Sequence, residues 1–266
     1  MGVFYVKTLA RVWIAVLAAV AVCGCPAAPV PPNARAGAAA VARADSQWSR
    51  RAEPRMDSMM IQTLEQALGT GQGADQPGAD VLWRLARAYW WKATRCTSDK
   101  ASKLELLEKG RDAAERAAAI DPTSADAHHW YAACLAQSAQ VRGILQSLFM
   151  VRPTVEALER ALAADPNHAR THYFLAELLC QLPGPPLSIG NKQRAVEEAR
   201  IAVRLDTRSS SHHLVLGKAL AAAKQYPDAR AAFNYVLTME PSSEDPEGLR
   251  LDQEEARAEL KAIEGK

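Results

Sequence analysis

A chain of 266 residues has enough length to bury a core as one large domain or two ordinary ones, with no need of disulfides or metals to hold it. Alanine supplies 52 residues within a hydrophobic fraction of 48%, and Gly (14) and Pro (15) are too few for a collagen-like or wholly disordered chain, so composition favours helices over strands. The net charge of +2 conceals seven basic against two acidic residues in 1–55 and 25 against 28 in the remainder; a mildly acidic body lacks the basic face that nucleic acid requires.

Lys7 and Arg11 precede Val12–Val22, an uninterrupted apolar run. Its eleven residues match a signal-peptide core and fall short of the roughly 20 that a membrane-crossing helix takes. Val22, Cys23, Gly24 and Cys25 follow at once and resemble a bacterial lipobox. The resemblance implies cleavage before Cys25, acylation of its thiol and a lipid anchor that holds the mature chain on a membrane. Cys23 fits less well as the acylated residue, because Val22 would then fill the small position before the cut; an ordinary signal peptide cleaved near Gly24 or Ala28 is the alternative. Pro26 stands where an Asp typically retains such lipoproteins at the inner membrane, so the expectation is an exported protein facing the periplasm, leaning to the outer membrane.

Residues 25–56 are rich in Pro, Ala and Arg and nearly free of large apolar side chains, which predicts a disordered tether. Cys96, Cys134 and Cys180 are an odd number at irregular spacing, so no disulfide framework is expected. Met56–Leu68 reads as a leading helix, and the glycines of residues 69–78 as a flexible connector with no preceding strand.

From there one pattern recurs: AAAIDP at 117–122, ALAADP at 161–166, AVRLDT at 202–207 and VLTMEP at 236–241. Each is an Ala-rich amphipathic segment stopped by Pro, or by Thr207 in its place. Ser210 to Pro241 resembles the 34-residue tetratricopeptide pattern, with Leu216, Gly217 and Leu220 on the first helix and Tyr226, Ala229, Phe233 and Val236 on the second. The equivalent positions Leu82, His128, His172 and His213 predict four helical hairpins. Extra length falls at residues 94–104, at 140–152 as an amphipathic short helix of its own, and at 183–192 as a Pro/Gly turn. The expected architecture is therefore an all-α tetratricopeptide solenoid: a signal over 1–24, a tether over 25–56, the solenoid over 57–248 and a capping helix over 249–266.

VLWRLARAYW at 81–90, HHWYAACLAQ at 128–137, RGILQSLF at 142–149, ALERALAADPNHARTHYFLAEL at 157–178 and HHLVLGKAL at 212–220 resemble, in that order, the regulator-of-microtubule-dynamics family. The resemblance implies a tetratricopeptide fold with these irregular insertions and, in animals, association with microtubules and the spindle. The architecture is also similar to bacterial tetratricopeptide lipoproteins, including the T component that accompanies some periplasmic solute transporters.

In tetratricopeptide arrays the concave groove holds peptides, and the resemblance maps its lining here to Trp83, Arg87, Trp90, Trp91, His129, Arg170, Tyr173, Glu177 and Lys218. Aromatic rings with interspersed Arg and Lys suit an extended peptide or a small apolar ligand; alternatively, Trp83, Trp90 and Trp91 pack beneath the first helix and the insertion. The clamp that grips chaperone C-termini needs Lys where this chain has Trp83, His129, Tyr173 and Leu214, so that use is not expected. No phosphate loop, zinc-protease motif, nucleophile elbow or paired CxxC occurs, so neither catalysis nor a cofactor is expected. His128, His172 and His213 recur at one repeat position, which reads as packing in preference to a metal site. The function expected is a non-catalytic scaffold that binds a protein or peptide partner, the alternative being a transport accessory that holds a small apolar ligand.

Overall fold

The computed structural model describes residues 32–69, 78–186, 188–241 and 245–266; the signal run, Cys25 and most of the glycine-rich connector lie outside them. Among the described residues there are eleven α-helices, one short π-helix and no strand. Helices α1 (Pro32–Trp48) and α2 (Met56–Gly69) lead. Four hairpins follow: α3 (Ala79–Trp91) with α4 (Lys100–Ile120), α5 (Ala125–Arg142) with α6 (Ile144–Ala164), α7 (Ala169–Gln181) with α8 (Lys192–Leu205), and α9 (Ser210–Ala222) with α10 (Tyr226–Thr238). Helix α11 (Pro246–Ala262) closes the array, and the π-helix Lys92–Cys96 follows α3 directly. This is the expected all-α solenoid.

The joints between hairpins repeat one device. Asp121, Asp165 and Asp206 each end a helix and turn their carboxylate onto the backbone N–H two residues on, of Thr123, Asn167 and Arg208, at 2.9, 2.9 and 3.1 Å. Ser124 and Ser209 then cap the next helix by accepting from the N–H of Ala127 and His212. Six residues beyond the turn, His128, His172 and His213 donate from Nε2 to the carbonyls of Pro122, Pro166 and Thr207 at 2.9, 2.9 and 3.0 Å. The recurring histidines thus staple each helix start to the preceding turn, a role beyond the simple packing expected of them.

His172 does more, because its Nδ1 donates to Glu198 of α8 at 2.6 Å. Burial pushes the imidazole pKa down, but the Glu198 bond and the Pro166 carbonyl outweigh it and raise it above its ordinary value. Burial likewise opposes ionisation of Glu198, and its bonds to His172 and Arg194 hold it below the ordinary carboxylate value. The histidine contribution is whole below about pH 6.5 and is lost as pH rises through the folded pKa; the Glu198 contribution is lost as pH falls through its own. Glu198→Gln is expected to cost about 1 kcal/mol at pH 6, with the gap to wild type narrowing by pH 9 in urea titrations. His129 and His212, which burial drives toward the neutral form, are common to both proteins and cancel in the difference. A gap independent of pH would refute the charged bond.

Packing falls into two apolar clusters. One joins α2 to α5 through Met60, Leu64, Leu82 and Trp130; the other runs from α6 to α11 through Leu158, Leu175, Val196, Leu214 and Phe233. Alanine and glycine let helices cross closely at Ala86, Gly110, Ala176 and Gly217.

Two sequence expectations need correction. The segment read as a tether over 25–56 is helical from Pro32 to Trp48, with Ala40, Ala44 and Gln47 buried. These lie four and three residues apart on one face, and alanine loses no side-chain entropy on docking, so a narrow small-residue stripe suffices where large apolar groups are missing. The insertion at 140–152 is not a separate short helix: α5 runs through Arg142, Gly143 makes the turn with φ 126°, and α6 continues unbroken past Pro153. The Pro153 ring removes one helix hydrogen bond, near a turn whose Phe149 is exposed to water. By contrast, 183–192 is the expected turn, and Gly190 sits so close to the Leu182 carbonyl that no Cβ fits there.

Candidate functional site

The first helices of successive hairpins present one edge to a common groove of about 650 Å³. Six of the nine side chains placed there by repeat position line it: Trp90 and Trp91 from α3, His129 from α5, and Arg170, Tyr173 and Glu177 from α7. Three do not. Trp83 is buried beneath Arg84 and Arg87, its indole N–H on Asp80 at 3.2 Å. Arg87 is 5% exposed and donates to Asp45 of α1 at 3.0 Å. Lys218 is ion-paired with Glu255 of α11.

For Arg87 and Lys218 the physical reason is shared: helices outside the repeats, α1 and α11, bring Asp45 and Glu255 onto them, and Trp83 is covered by Arg84 and Arg87, both bound to Asp45. Helix α1 sets Asp45 between Arg84 and Arg87 and lays Trp48 edge-on to Trp91 and Trp130, at 5.6 and 6.4 Å between ring centres. After it, Arg51 reaches 3.8 Å from Asp245, just before α11, so the two ends of the solenoid meet across the groove. Helix α11 adds Leu249 and Asp252 to the wall.

The walls are divided by chemistry. At one end Trp90 packs on Trp130 at 5.6 Å, and guanidinium groups lie over the rings: Arg51 on Trp48 at 4.6 Å, Arg95 on Trp91 at 5.6 Å and Arg170 on Trp130 at 5.4 Å. Arg170 keeps 43% of its side chain open to water although protein surrounds it, the position of a group on a concave wall. Burial pulls its pKa down, and Asp126 and Asp206 only partly offset that. Beside it His129 donates to or accepts from the Thr171 hydroxyl at 3.0 Å, and burial, then Arg170 and His168, hold it neutral.

The other end is acidic. Burial raises the pKa of Glu177 above the ordinary carboxylate value, moderated by Lys218 and by the Tyr173 hydroxyl. Burial also raises Asp252, which accepts from the Ser210 hydroxyl at 2.6 Å. Among the described residues no group of three or more His, Cys, Asp or Glu side chains is placed to hold a metal ion.

Sequence reasoning missed Trp48, Arg51, Arg95, Trp130 and Asp252. Trp48 was visible as an aromatic side chain in an otherwise Ala-, Pro- and Arg-rich segment; Trp130 adjoins a mapped position; Arg95 and Asp252 belong to elements outside the repeat pattern.

The fold is that of TTC0263, a tetratricopeptide protein of Thermus thermophilus, at TM-score 0.60 and 14% identity over 84% of this chain and 99% of that one. Structures of MamA are more distant: MamA AMB-1 gives TM-score 0.46 at 15% identity over 80% of this chain and 97% of that one, and a MamA RS-1 double mutant gives 0.46 at 14% over 89% and 99%. No curated protein matches the chain significantly. The family model of regulator of microtubule dynamics protein 1-3 matches residues 43–180, more than half of the chain and the part that builds the aromatic end of the groove, and the chain belongs to that family.

Proposed function

We propose that the protein is a non-catalytic, membrane-anchored repeat scaffold that binds a protein or peptide partner through its concave groove. The observation that carries this reading is that six side chains chosen only by repeat position converge on one cavity, with aromatic rings and guanidinium groups at one end. Such groups dominate recognition energy, and a groove of this size holds a few extended residues. Cys25, acylated, tethers the chain outside a bacterial cytoplasm, so the partner is a protein of that compartment. A second reading, a transport accessory that holds a small apolar ligand, draws support from Arg51 and Asp245 meeting across the groove.

The test pairs two measurements. Palmitate labelling is expected in the full chain and is lost on Cys25→Ser; absence of labelling in wild type removes the anchor. Crosslinking in intact cells is expected to capture a partner that Trp90→Ala and Arg170→Ala each weaken about tenfold or more. Capture unchanged by both variants would place recognition elsewhere.

A further inference from the structure

The opening turns of α6 pack little against the rest of the molecule. From Leu145 to Pro153 every residue is exposed or half-buried, and burial begins only at Thr154 and Val155. Leu145, Leu148 and Phe149 fall on one face of the helix, at spacings of three and four, with 74%, 51% and 73% of their surface in water. Arg152 continues that face, its side chain 87% exposed. The three apolar side chains leave a patch of roughly 300–400 Å², the size at which an apolar surface marks a contact. The other large exposed apolar residues described, Met59 and Tyr235 among them, stand one to a helix or loop.

The surroundings of the patch decide between a protein and a bilayer. An ordinary protein interface buries about 800 Å² per partner and sets polar pairs round its apolar centre. Here the patch supplies under half of that area, and its flanking charges are already matched, Arg142 with Glu108 of α4 and Arg152 with Glu156 at 3.0 Å. A bilayer asks for neither area nor polar partners. A helix lying at its margin is held by apolar surface, and a chain already tethered to the membrane loses little further freedom on inserting it. None of the described helices is long and apolar enough to cross a membrane, so the contact is with the margin. Helix α1 runs beside α3 in the same direction, Asp45 meeting Arg84 and Arg87 and Trp48 meeting Trp91, whereas α6 starts where α5 ends. The start of α1 and the patch therefore occupy opposite edges of the array. We propose that Leu145, Leu148 and Phe149 insert into the apolar margin of a lipid bilayer, whatever its headgroup charge, and with the N-terminal anchor lay the array along the membrane. The inference rests on the chain being held at a membrane.

The experiment reconstitutes the full chain, its palmitate content measured, into phosphatidylcholine vesicles with and without phosphatidylglycerol. The phosphatidylcholine carries a diazirine in its acyl chain, and crosslinks are mapped by mass spectrometry. Crosslinks at 145–149 are expected to exceed those at Met59 and Tyr235 about fivefold or more, equally in both vesicles. Leu148→Glu with Phe149→Glu alters only exposed side chains, so it is expected to keep the urea midpoint of wild type and to lower those crosslinks about tenfold. Crosslinks confined to an acylated N-terminus overturn the inference and leave the anchor intact. Crosslinks at 145–149 in a chain that carries no palmitate uphold the patch and remove the anchor. Crosslinks that require phosphatidylglycerol overturn it, because the flanking charges then are not matched. A dimer in sedimentation equilibrium that Phe149→Glu dissociates, with 145–149 unlabelled by lipid, overturns it and assigns the face to a second copy.

Discussion

Asp45→Asn is expected to lower the unfolding free energy by about 2–3 kcal/mol at pH 7 and to release helix α1 from the array. The Asp45 carboxylate accepts from Arg84 at 2.9 Å through both Nε and Nη2, and from Arg87 at 3.0 Å. Arg87 is almost fully buried, and burial lowers its pKa to about 10, with Asp45 the leading group holding it up. Asparagine keeps the shape and removes the charge, leaving a buried guanidinium beside Arg84 and Arg170. Losing one partner of a fully buried pair costs about 3–5 kcal/mol; Asp45 keeps 41% of its side chain in water, which places this case below that range.

Acid provides an internal control. Burial opposes ionisation of Asp45, but its bonds to Arg84 and Arg87 prevail, and its pKa lies below the ordinary 3.8. Its contribution is therefore whole above pH 3.8 and is lost as pH falls through the folded value. Urea titrations of wild type and variant are expected to differ at pH 7 and to converge toward pH 2, with tryptophan emission shifting red in the variant at low denaturant as Trp48 leaves Trp91 and Trp130. A difference under about 0.5 kcal/mol at pH 7 would mean that the Asp45 bonds to Arg84 and Arg87 contribute nothing to the fold, because surface substitutions stay within that margin.

The case of α1 marks where sequence reading stops. Hairpins were legible because each ends in an acidic residue followed by Pro or Thr and because Gly217, Ala229 and Phe233 sit at diagnostic positions. Helix α1 was not, because its buried stripe is Ala40, Ala44 and Gln47, and docking through alanine leaves no peak in hydrophobicity. The groove followed the same division. Position within a repeat located His129, Arg170, Tyr173 and Glu177 in the middle of the array, where each repeat meets only its neighbours. It failed for Arg87 and Lys218, where Asp45 and Glu255 arrive from helices outside the repeat, and for Trp83, which Arg84 and Arg87 cover. The unbroken α6 was not legible because the sequence alone does not show that the helix runs on through Pro153, where only one backbone bond is lost. The histidine staples were present in the constant spacing of six residues from Pro122, Pro166 and Thr207, a regularity without meaning until the turn geometry is known.

Gly217→Leu is expected to unfold the last hairpin. A Cβ at 217 would lie 2.4 Å from Cε1 and 2.6 Å from Cδ1 of Phe233, closer than carbon atoms approach. Phe233 has no exposed surface and packs between α9 and α10 in the second apolar cluster, so its ring has no empty space to enter. Alanine at 217 requires the ring to shift and costs about 1–3 kcal/mol; leucine adds three more carbons to the same crossing and exceeds what the hairpin can absorb. Phe233→Ala alone is expected to cost about 3–5 kcal/mol through the cavity it leaves. The double variant Gly217→Leu with Phe233→Ala returns apolar volume to that cavity, so it is expected to be more stable than the summed single effects by at least about 1 kcal/mol. Because repeats couple through neighbours, hydrogen exchange should report loss of protection across α9 to α11 and its retention in α3 to α5. Additive single and double effects, or uniform loss of protection along the chain, would show that the crossing does not rest on this contact.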